Sequence, residues 1–316
     1  MFKMYSTDVE TNITTETNEY MRGNWINMVS PSDEEIKTVC ENINIQEDFI
    51  RYALDSEEKA RIDIEDDDST ILFIIDTPIM GVESGAKVYS TIPIGVIFVR
   101  DDYIITVSLN KNPILDKFVK NNMKSIVTYK KSRMLLQIMY SNSEMYINLL
   151  NKINKETEIA ENVLKNSMKN KELLKLLSLE KGLVYFTTSL KSNEVVMEKT
   201  MRGNLIKLYE EDEDILEDSI IENKQAIEMA KIYRDILAST MDAYASVISN
   251  NLNGVMKYLT AITIILAIPT MIASYWGMNV SVPLQNNPFG FVLIVFFSLL
   301  IGVIVSIWLK KKGMLD

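Results

Sequence analysis

The side chains of this chain that could do chemistry are mainly oxygen donors. Its 316 residues include no histidine and a single cysteine, Cys40. This composition excludes imidazole-based acid–base catalysis, the Ser-His-Asp arrangement, cysteine-rich zinc sites and intrachain disulfides. Carboxylates, amides and backbone carbonyls remain, and they suit hard cations such as Mg²⁺, Ca²⁺ and Mn²⁺. No catalytic constellation or glycine-rich phosphate loop is visible, so the sequence predicts a protein that is not an enzyme, and its composition permits a cation as ligand.

Oxygen donors are concentrated at two places in the sequence. The tripeptide Gly277-Met278-Asn279 follows a long apolar run, and an acidic run holds seven carboxylates between Glu210 and Asp218. Because glycine lets the backbone turn, freed carbonyls and the Asn279 amide could accept hydrogen bonds from the waters of a hydrated cation. The alternative for the tripeptide is an ordinary helix C-cap. The acidic run is either a solvated helix face or a cation sensor.

Two apolar runs must position the tripeptide. Residues 258–278 and 289–308 contain no charged residue. Each is long enough to cross a bilayer, which takes about 20 apolar residues of helix. Lys257 and Lys310–Lys312 flank the runs, whereas the turn between them has no lysine or arginine. Because basic residues near span ends stay in the cytosol, we expect a multi-pass cell-membrane protein with both termini cytosolic.

The first apolar run and its flanks carry polar residues at helical spacing. They are Asn253, Thr260, Thr263, Thr270 and Asn279. One hairpin cannot enclose a pore, but several copies around an axis would line one with rings of these groups. Alternatively, the threonines hydrogen-bond to the backbones of neighbouring helices. The residues alone leave both interpretations open.

The setting of the tripeptide resembles that of the CorA-type magnesium transporter family. Tyr275 and Trp276 precede it, Pro269 lies further back in the same span, and a second span and a lysine cluster follow. The resemblance implies a homopentamer in the lipid bilayer that takes up Mg²⁺ passively through a pore on its axis. It also implies that cytosolic Mg²⁺ binds as a regulatory ligand and closes the pore.

The resemblance also assigns roles to individual residues. It implies that Gly277, Met278 and Asn279 select the ion, with Asn279 as its ligand. Asn253, Met256, Leu259 and Thr270 would line the pore, and Asp218 would be a regulatory metal ligand with Glu83 as a candidate partner. Many family members have an acidic residue in the outer turn, but residues 280–290 here contain none. Recruitment of cations outside would therefore rely on neutral oxygens, those of Asn279, Gln285, Asn286 and Asn287.

Other functions remain as alternatives. The cargo could be another divalent metal, cobalt, nickel or zinc, or the chain could be a membrane-anchored sensor or scaffold that conducts nothing. The formal charge of −10 argues against nucleic acid as a partner, because phosphate binding needs clustered lysine and arginine.

The predicted fold is an α+β membrane protein. We expect a mixed α/β region over residues 1–112, followed by a helical section, a stalk helix and a two-helix hairpin. A capping box at Ser32 and Glu35 predicts a helix over about 33–42, and one helix is expected over about 217–276. The other predicted ranges are a helical section 113–200, a stalk region 201–257, a first span 258–279 with the tripeptide, an outer turn 280–288, a second span 289–308 and a basic tail 309–316.

Overall fold

The computed structural model describes residues 2–65, 70–83, 86–100, 102–120, 127–166, 170–203, 205–284 and 287–315. The chain divides into two compact units, Met1–Ala238 and Ser239–Asp316. The first unit holds the β-sheet, the helices that precede the longest helix, and the start of that helix. The second holds the end of the longest helix and the whole of the last one.

A seven-stranded sheet is the centre of the first unit. Its strand order is β2-β1-β3-β7-β6-β5-β4, and only β3 and β7 pair in parallel. The bounds are β1 (Phe2–Thr7), β2 (Thr14–Thr17), β3 (Trp25–Val29), β4 (Arg61–Ile64), β5 (Thr70–Glu83), β6 (Ala86–Val99) and β7 (Tyr103–Ser108). The sequence predicts strands, from their Ile, Val, Phe and Tyr content, over residues 24–29, 60–64, 70–76, 91–99 and 103–109. These overlap β3 to β7, whereas β1 and β2 have no counterpart among them.

Alternate residues of the strands fill two cores, one on each face of the sheet. In β5, Phe73 and Ile75 belong to one core, whereas Leu72 and Ile74 belong to the other. This follows from the two-residue period of side chains along a strand. The second core is closed by α1 (Asp33–Ile43) and α2 (Glu47–Tyr52), and the first by α3 (Pro113–Lys120), α4 (Lys131–Asn166) and α5 (Asn170–Arg202).

The capping box predicted at the start of α1 is confirmed. The Ser32 hydroxyl accepts from the Glu35 N–H at 3.2 Å, and the Glu35 carboxylate accepts from the Ser32 N–H at 2.9 Å. Both bonds satisfy donors that the first helical turn would otherwise leave free.

The longest helix, α6 (Glu210–Trp276), has 67 residues. At 1.5 Å per residue it is about 100 Å long. It begins at Glu210, so the predicted start near residue 217 is wrong. The acidic run supplies the first turn of the helix, where negative charge is favoured by the helix dipole.

The last helix, α7 (Gly290–Lys311), corresponds to the predicted second span. Both α6 and α7 are long and apolar enough to cross a membrane, and in their most apolar windows only 6% and 17% of residues are buried within the protomer. Their apolar sides therefore need a partner outside the protomer, either lipid or another subunit. The predicted ranges of the spans, the stalk and the outer turn remain predictions about where the membrane begins and ends.

A buried polar hub joins the sheet to α4 and α5. The main-chain carbonyl of Asp76, in β5, accepts from Asn142 Nδ2 at 2.9 Å, Tyr146 Oη at 3.1 Å and Asn193 Nδ2 at 2.8 Å. The Asp76 N–H donates to Asn193 Oδ1 at 2.9 Å. These bonds lock both helices in register with the strand, since each would lose a buried partner if it slid.

Helix α6 enters the same network within the first unit. Ser143 Oγ lies 3.3 Å from the Ser219 carbonyl, and Asn223 Nδ2 donates to the Leu190 carbonyl at 3.0 Å. The buried face of α6 here includes Leu216, Ala226 and Leu237. The start of the stalk helix is thus held against α4 and α5 by buried apolar side chains and by hydrogen bonds from one hydroxyl and one amide group.

Candidate functional site

The outer turn begins where α6 ends. The Gly277 N–H donates to the Ala273 carbonyl at 2.9 Å, which is the last helical bond. A Cβ added to Gly277 would come no closer than 3.4 Å to its neighbours, and its φ lies outside the left-handed range. Gly277 directly follows the last residue of α6, as the helix C-cap interpretation expects, and within this chain neither a close contact nor a left-handed backbone requires glycine there.

The side chains of the tripeptide face outward. Met278 is 55% exposed and Asn279 is also exposed. Between the described residues, no hydrogen bond uses the Asn279 carboxamide. Its oxygen is therefore available to accept from the water shell of a cation. Neutral oxygens bind ions weakly enough to release them, which conduction requires.

The rest of the turn folds back on itself. The Trp276 indole N–H donates to the Pro283 carbonyl at 3.0 Å. Leu284 has φ +69°, and its carbonyl accepts from the Asn287 N–H at 3.1 Å. Asn287 Oδ1 accepts from the Phe289 N–H at 2.9 Å. Asn287 thus supports the start of α7, and its role in recruiting cations stays a prediction. Gln285 and Asn286 lie outside the described residues.

A mainly apolar groove that includes three hydroxyl side chains, those of Thr263, Thr270 and Ser274, runs along one face of α6 in the second unit. It has a volume of about 570 Å³ and is lined by Thr263, Leu266, Ala267, Thr270, Met271, Ser274 and Tyr275. The predicted pore-lining residues Asn253, Met256, Leu259 and Thr270 are all exposed on the same helix. Their spacing of three, three and eleven residues keeps them near one side of a helix with 3.6 residues per turn.

The threonine hydroxyls of this span donate to their own helix. Thr260 Oγ1 lies 2.8 Å from the Met256 carbonyl, and Thr270 Oγ1 lies 2.9 Å from the Leu266 carbonyl. The donor of each hydroxyl is thereby used, but its oxygen can still accept. A face of this kind presents acceptors to its surroundings, which is the polarity that a hydrated cation requires. The helix continues through Pro269, although proline lacks the N–H of a helical bond.

Asp218 lies in the first unit, in a different setting. It is exposed and lines a cavity of about 360 Å³ together with Phe118, Gln137, Tyr140, Ser141 and Ile215. The pKa of Tyr140 is raised, first by the charge of Glu144, then by burial, and then by Glu222 and Asp218. The negative potential that opposes ionisation of the phenol would favour a cation at the same place.

The predicted partner of Asp218 is not found at this cavity. Glu83 ends β5 and is exposed, and it is not among the residues that line the cavity. Among the described residues, no group of three or more His, Cys, Asp or Glu side chains could hold a metal ion. Within one protomer, Asp218 therefore provides one carboxylate and not a complete site.

Part of the acidic run has a structural role. Asp212 is 2% exposed, and its carboxylate accepts from Arg133 Nε at 2.8 Å. Arg133 also donates through Nη2 to Glu211 at 2.7 Å. The interpretation of the run as a solvated face is thus wrong for Asp212, which is paired with the start of α4.

Comparison with known proteins decides the family. The model of the family described as "CorA-like Mg2+ transporter protein" matches residues 21–311. The chain belongs to this family. The resemblance inferred from the Gly-Met-Asn tripeptide and the two spans is therefore confirmed, and the family is one of divalent-cation transporters.

Individual relatives agree with this family assignment. The chain is 29% identical over 299 residues to the "Cobalt/magnesium transport protein CorA" of Methanocaldococcus jannaschii, over 92% of this chain and 90% of that protein. It is 31% identical over 179 residues to the protein of the same name from Thermotoga maritima, over 53% and 48% of the two chains. Its fold matches the complete CorA magnesium transporter structure from M. jannaschii with a TM-score of 0.81 and 26% identity, over 99% of this chain and 96% of the other. The predicted fold class is confirmed by this match.

Proposed function

We propose that this CorA-family chain forms a homopentamer that takes up Mg²⁺ through a pore on its axis. The observation that carries the proposal is the exposed Gly277-Met278-Asn279 turn at the end of a helix that also exposes Asn253, Thr260 and Thr270. In this proposal Asn279 is the ligand of the hydrated ion at the outer mouth. Asn253, Met256, Leu259 and Thr270 of α6 then line the path to the cytosol.

The chemistry of Mg²⁺ supports recognition of the hydrated ion. Mg²⁺ demands near-octahedral oxygen coordination and gives up its waters reluctantly. A ring of Asn279 carboxamide oxygens, one from each subunit, would accept hydrogen bonds from those waters without displacing them. Hydroxyl oxygens of Thr270 would do the same deeper in the pore.

The membrane potential supplies the driving force in this proposal. It is worth about 2.3 kcal/mol per charge per 100 mV, hence roughly 4.6 kcal/mol for a divalent ion. Lys257 and Lys310–Lys312, which flank the two apolar helices, support cytosolic termini in this proposal, and an inside-negative potential then drives uptake.

Regulation by cytosolic Mg²⁺ is the second part of the proposal. Asp218 would bind the ion together with a carboxylate of a neighbouring subunit, for which Glu83 is a candidate. Loss of the ion would leave like charges facing each other and loosen the interface, so the ion biases the assembly towards the closed state. The negative surroundings of Tyr140 support a cation near Asp218.

Uptake into proteoliposomes tests the proposal. The wild-type protein and Asn279→Ala are reconstituted with an inside-negative potential and a Mg²⁺-sensitive dye inside. Uptake by the wild type that falls at least tenfold in the assembled variant is the expected result. Equal uptake by both proteins would remove the tripeptide from the mechanism.

The same assay separates the alternatives. Because the relatives are named for cobalt and magnesium, Co²⁺, Ni²⁺ and Zn²⁺ are offered in parallel with Mg²⁺. Faster uptake of Co²⁺, Ni²⁺ or Zn²⁺ than of Mg²⁺ would assign that ion, and not Mg²⁺, as the preferred cargo. No uptake of any cation, with internal Mg²⁺ chelated, would favour a sensor or scaffold that does not conduct.

A further inference from the structure

The indole of Trp276 closes the outer turn. Its Nε1–H donates to the Pro283 carbonyl at 3.0 Å. Trp276 is the last residue of α6, so this one hydrogen bond spans residues 277–282, with Asn279 inside the loop. We propose that Trp276 is a positioning residue, which holds Asn279 and the adjacent carbonyls in the arrangement that recognises the hydrated cation. This assignment rests on the proposed function.

A tryptophan near the end of a span could also serve only as a membrane anchor, and the hydrogen bond of Trp276 distinguishes the two roles. Interfacial tryptophans commonly anchor a helix by directing the indole N–H to water or lipid head groups. The indole N–H of Trp276 instead donates to the carbonyl of Pro283, within its own turn. Trp308, near the basic end of α7, has a different environment. Its ring faces a charged side chain, since Lys312 Nζ lies 4.4 Å from the ring centroid.

The far end of the turn is fixed independently. The Asn287 N–H donates to the Leu284 carbonyl at 3.1 Å, and the Gly290 N–H donates to the Asn287 carbonyl at 2.9 Å. A Cβ added to Gly290 would lie 2.7 Å from the Leu284 carbonyl oxygen, so the return to α7 requires glycine. With its exit held in this way, the orientation of residues 277–282 depends on the closure by Trp276.

Closure matters because the proposed ligands are neutral. A neutral ring gains selectivity from the number and placement of its oxygens and not from charge, and this chain has no acidic residue in the turn. Holding Asn279 before the ion arrives removes the cost of ordering the turn upon binding. Without the Trp276 bond, the ion must order the turn itself, so its apparent affinity falls while the later steps stay the same.

The experiment removes the indole N–H donor of Trp276 and keeps an aromatic side chain. Trp276 is replaced by Phe and, by site-specific incorporation, with benzothienylalanine, which keeps the shape of the indole and lacks its N–H. Trp308→Phe is the matched control. We expect the KM for Mg²⁺ uptake to rise about 2- to 10-fold in both Trp276 variants, as for the loss of one hydrogen bond, with Vmax within about twofold. Hydrogen–deuterium exchange of the peptide that covers residues 277–283 should accelerate in the same variants.

Each outcome decides the assignment. A raised KM in both Trp276 variants, with Trp308→Phe unchanged, supports it. Uptake kinetics equal to the wild type overturn it, even if exchange is faster, because Trp276 would then stabilise the turn without acting on the ion. A wild-type protein that takes up no cation overturns the proposed function and this assignment together, and thereby differs from a failure of the assignment alone.

Discussion

Replacing Asp76 by Asn should make the protein's stability less dependent on pH. The Asp76 side chain is 6% exposed, at the hub that joins β5 to α4 and α5. Burial raises its pKa from 3.8 to about 6, and hydrogen bonds from Ser189 and the Ala60 N–H only partly counter this rise. Other charges near it are those of Glu58 and Lys59. The pKa of Tyr146 is raised mainly by burial and then by the charge of Asp76. A buried carboxylate that lacks an ion-pair partner is costly to ionise.

The sign and size of the effect follow from linkage. The native state holds the Asp76 proton up to about pH 6, whereas the unfolded state releases it near pH 4. The stabilisation is therefore full below the unfolded pKa and is lost as the pH rises through the folded pKa. A difference of about two pKa units corresponds to about 3 kcal/mol, of which about 2 kcal/mol is lost between about pH 4.5 and pH 7.5.

The assay is thermal unfolding of the full-length protein in detergent at these two pH values. The free energy of unfolding of Asp76→Asn, relative to that of the wild type, should rise by about 2 kcal/mol from about pH 4.5 to about pH 7.5. This corresponds to roughly 4–8 °C in Tm for a unit of this size. Asp48→Asn, at an exposed position, is the control and should show no such difference. A Tm difference between Asp76→Asn and the wild type that stays the same at both pH values would refute the reasoning.

Two further predictions concern the start of α6. Arg133→Gln leaves Asp212, which is 2% exposed, without its cation, so the free energy of unfolding should fall by about 2–3 kcal/mol in denaturant titrations. Arg202→Gln, from a more exposed pair, should change it little, and equal effects of both would contradict a special role for Arg133. Asp218→Asn should raise the internal Mg²⁺ concentration that half-inhibits uptake by about fivefold or more. Asp214→Asn, exposed in the same run, is its control, and matching inhibition curves for both variants and the wild type would remove Asp218 from regulation.

Local sequence signals predicted the local structure well. The capping box at Ser32, the strands from β3 to β7 and the two apolar helices follow from patterns within a few neighbouring residues. β2 was missed because its four residues are all polar, and β1 because its six residues are too few for a clear pattern. Such strands are defined by their partners. The start of α6 was placed seven residues late because a dense acidic run looked like a solvated segment.

The candidate site could be predicted only in part. The tripeptide, its place after the first span and the polar face of that span are visible in the order of the residues. The closure of the turn by Trp276 and Pro283, and the use of Asn287 Oδ1 by the Phe289 N–H, are not, because they depend on the backbone path after the helix ends. The burial of Asp212 escaped prediction for a related reason, since its partner Arg133 is distant in sequence.

The sequence by itself indicated the family, two apolar runs long enough to cross a membrane, and oxygen donors suited to hard cations. These depend on composition and on short-range order: uncharged runs long enough for a bilayer, lysines at their ends, no histidine and the Gly-Met-Asn tripeptide. The tertiary structure alone decided which polar groups are buried together, as at Asp76, and which side chain closes the outer turn. Such contacts join residues whose separation along the chain carries no signal, because burial and hydrogen-bond geometry exist only once the chain has folded.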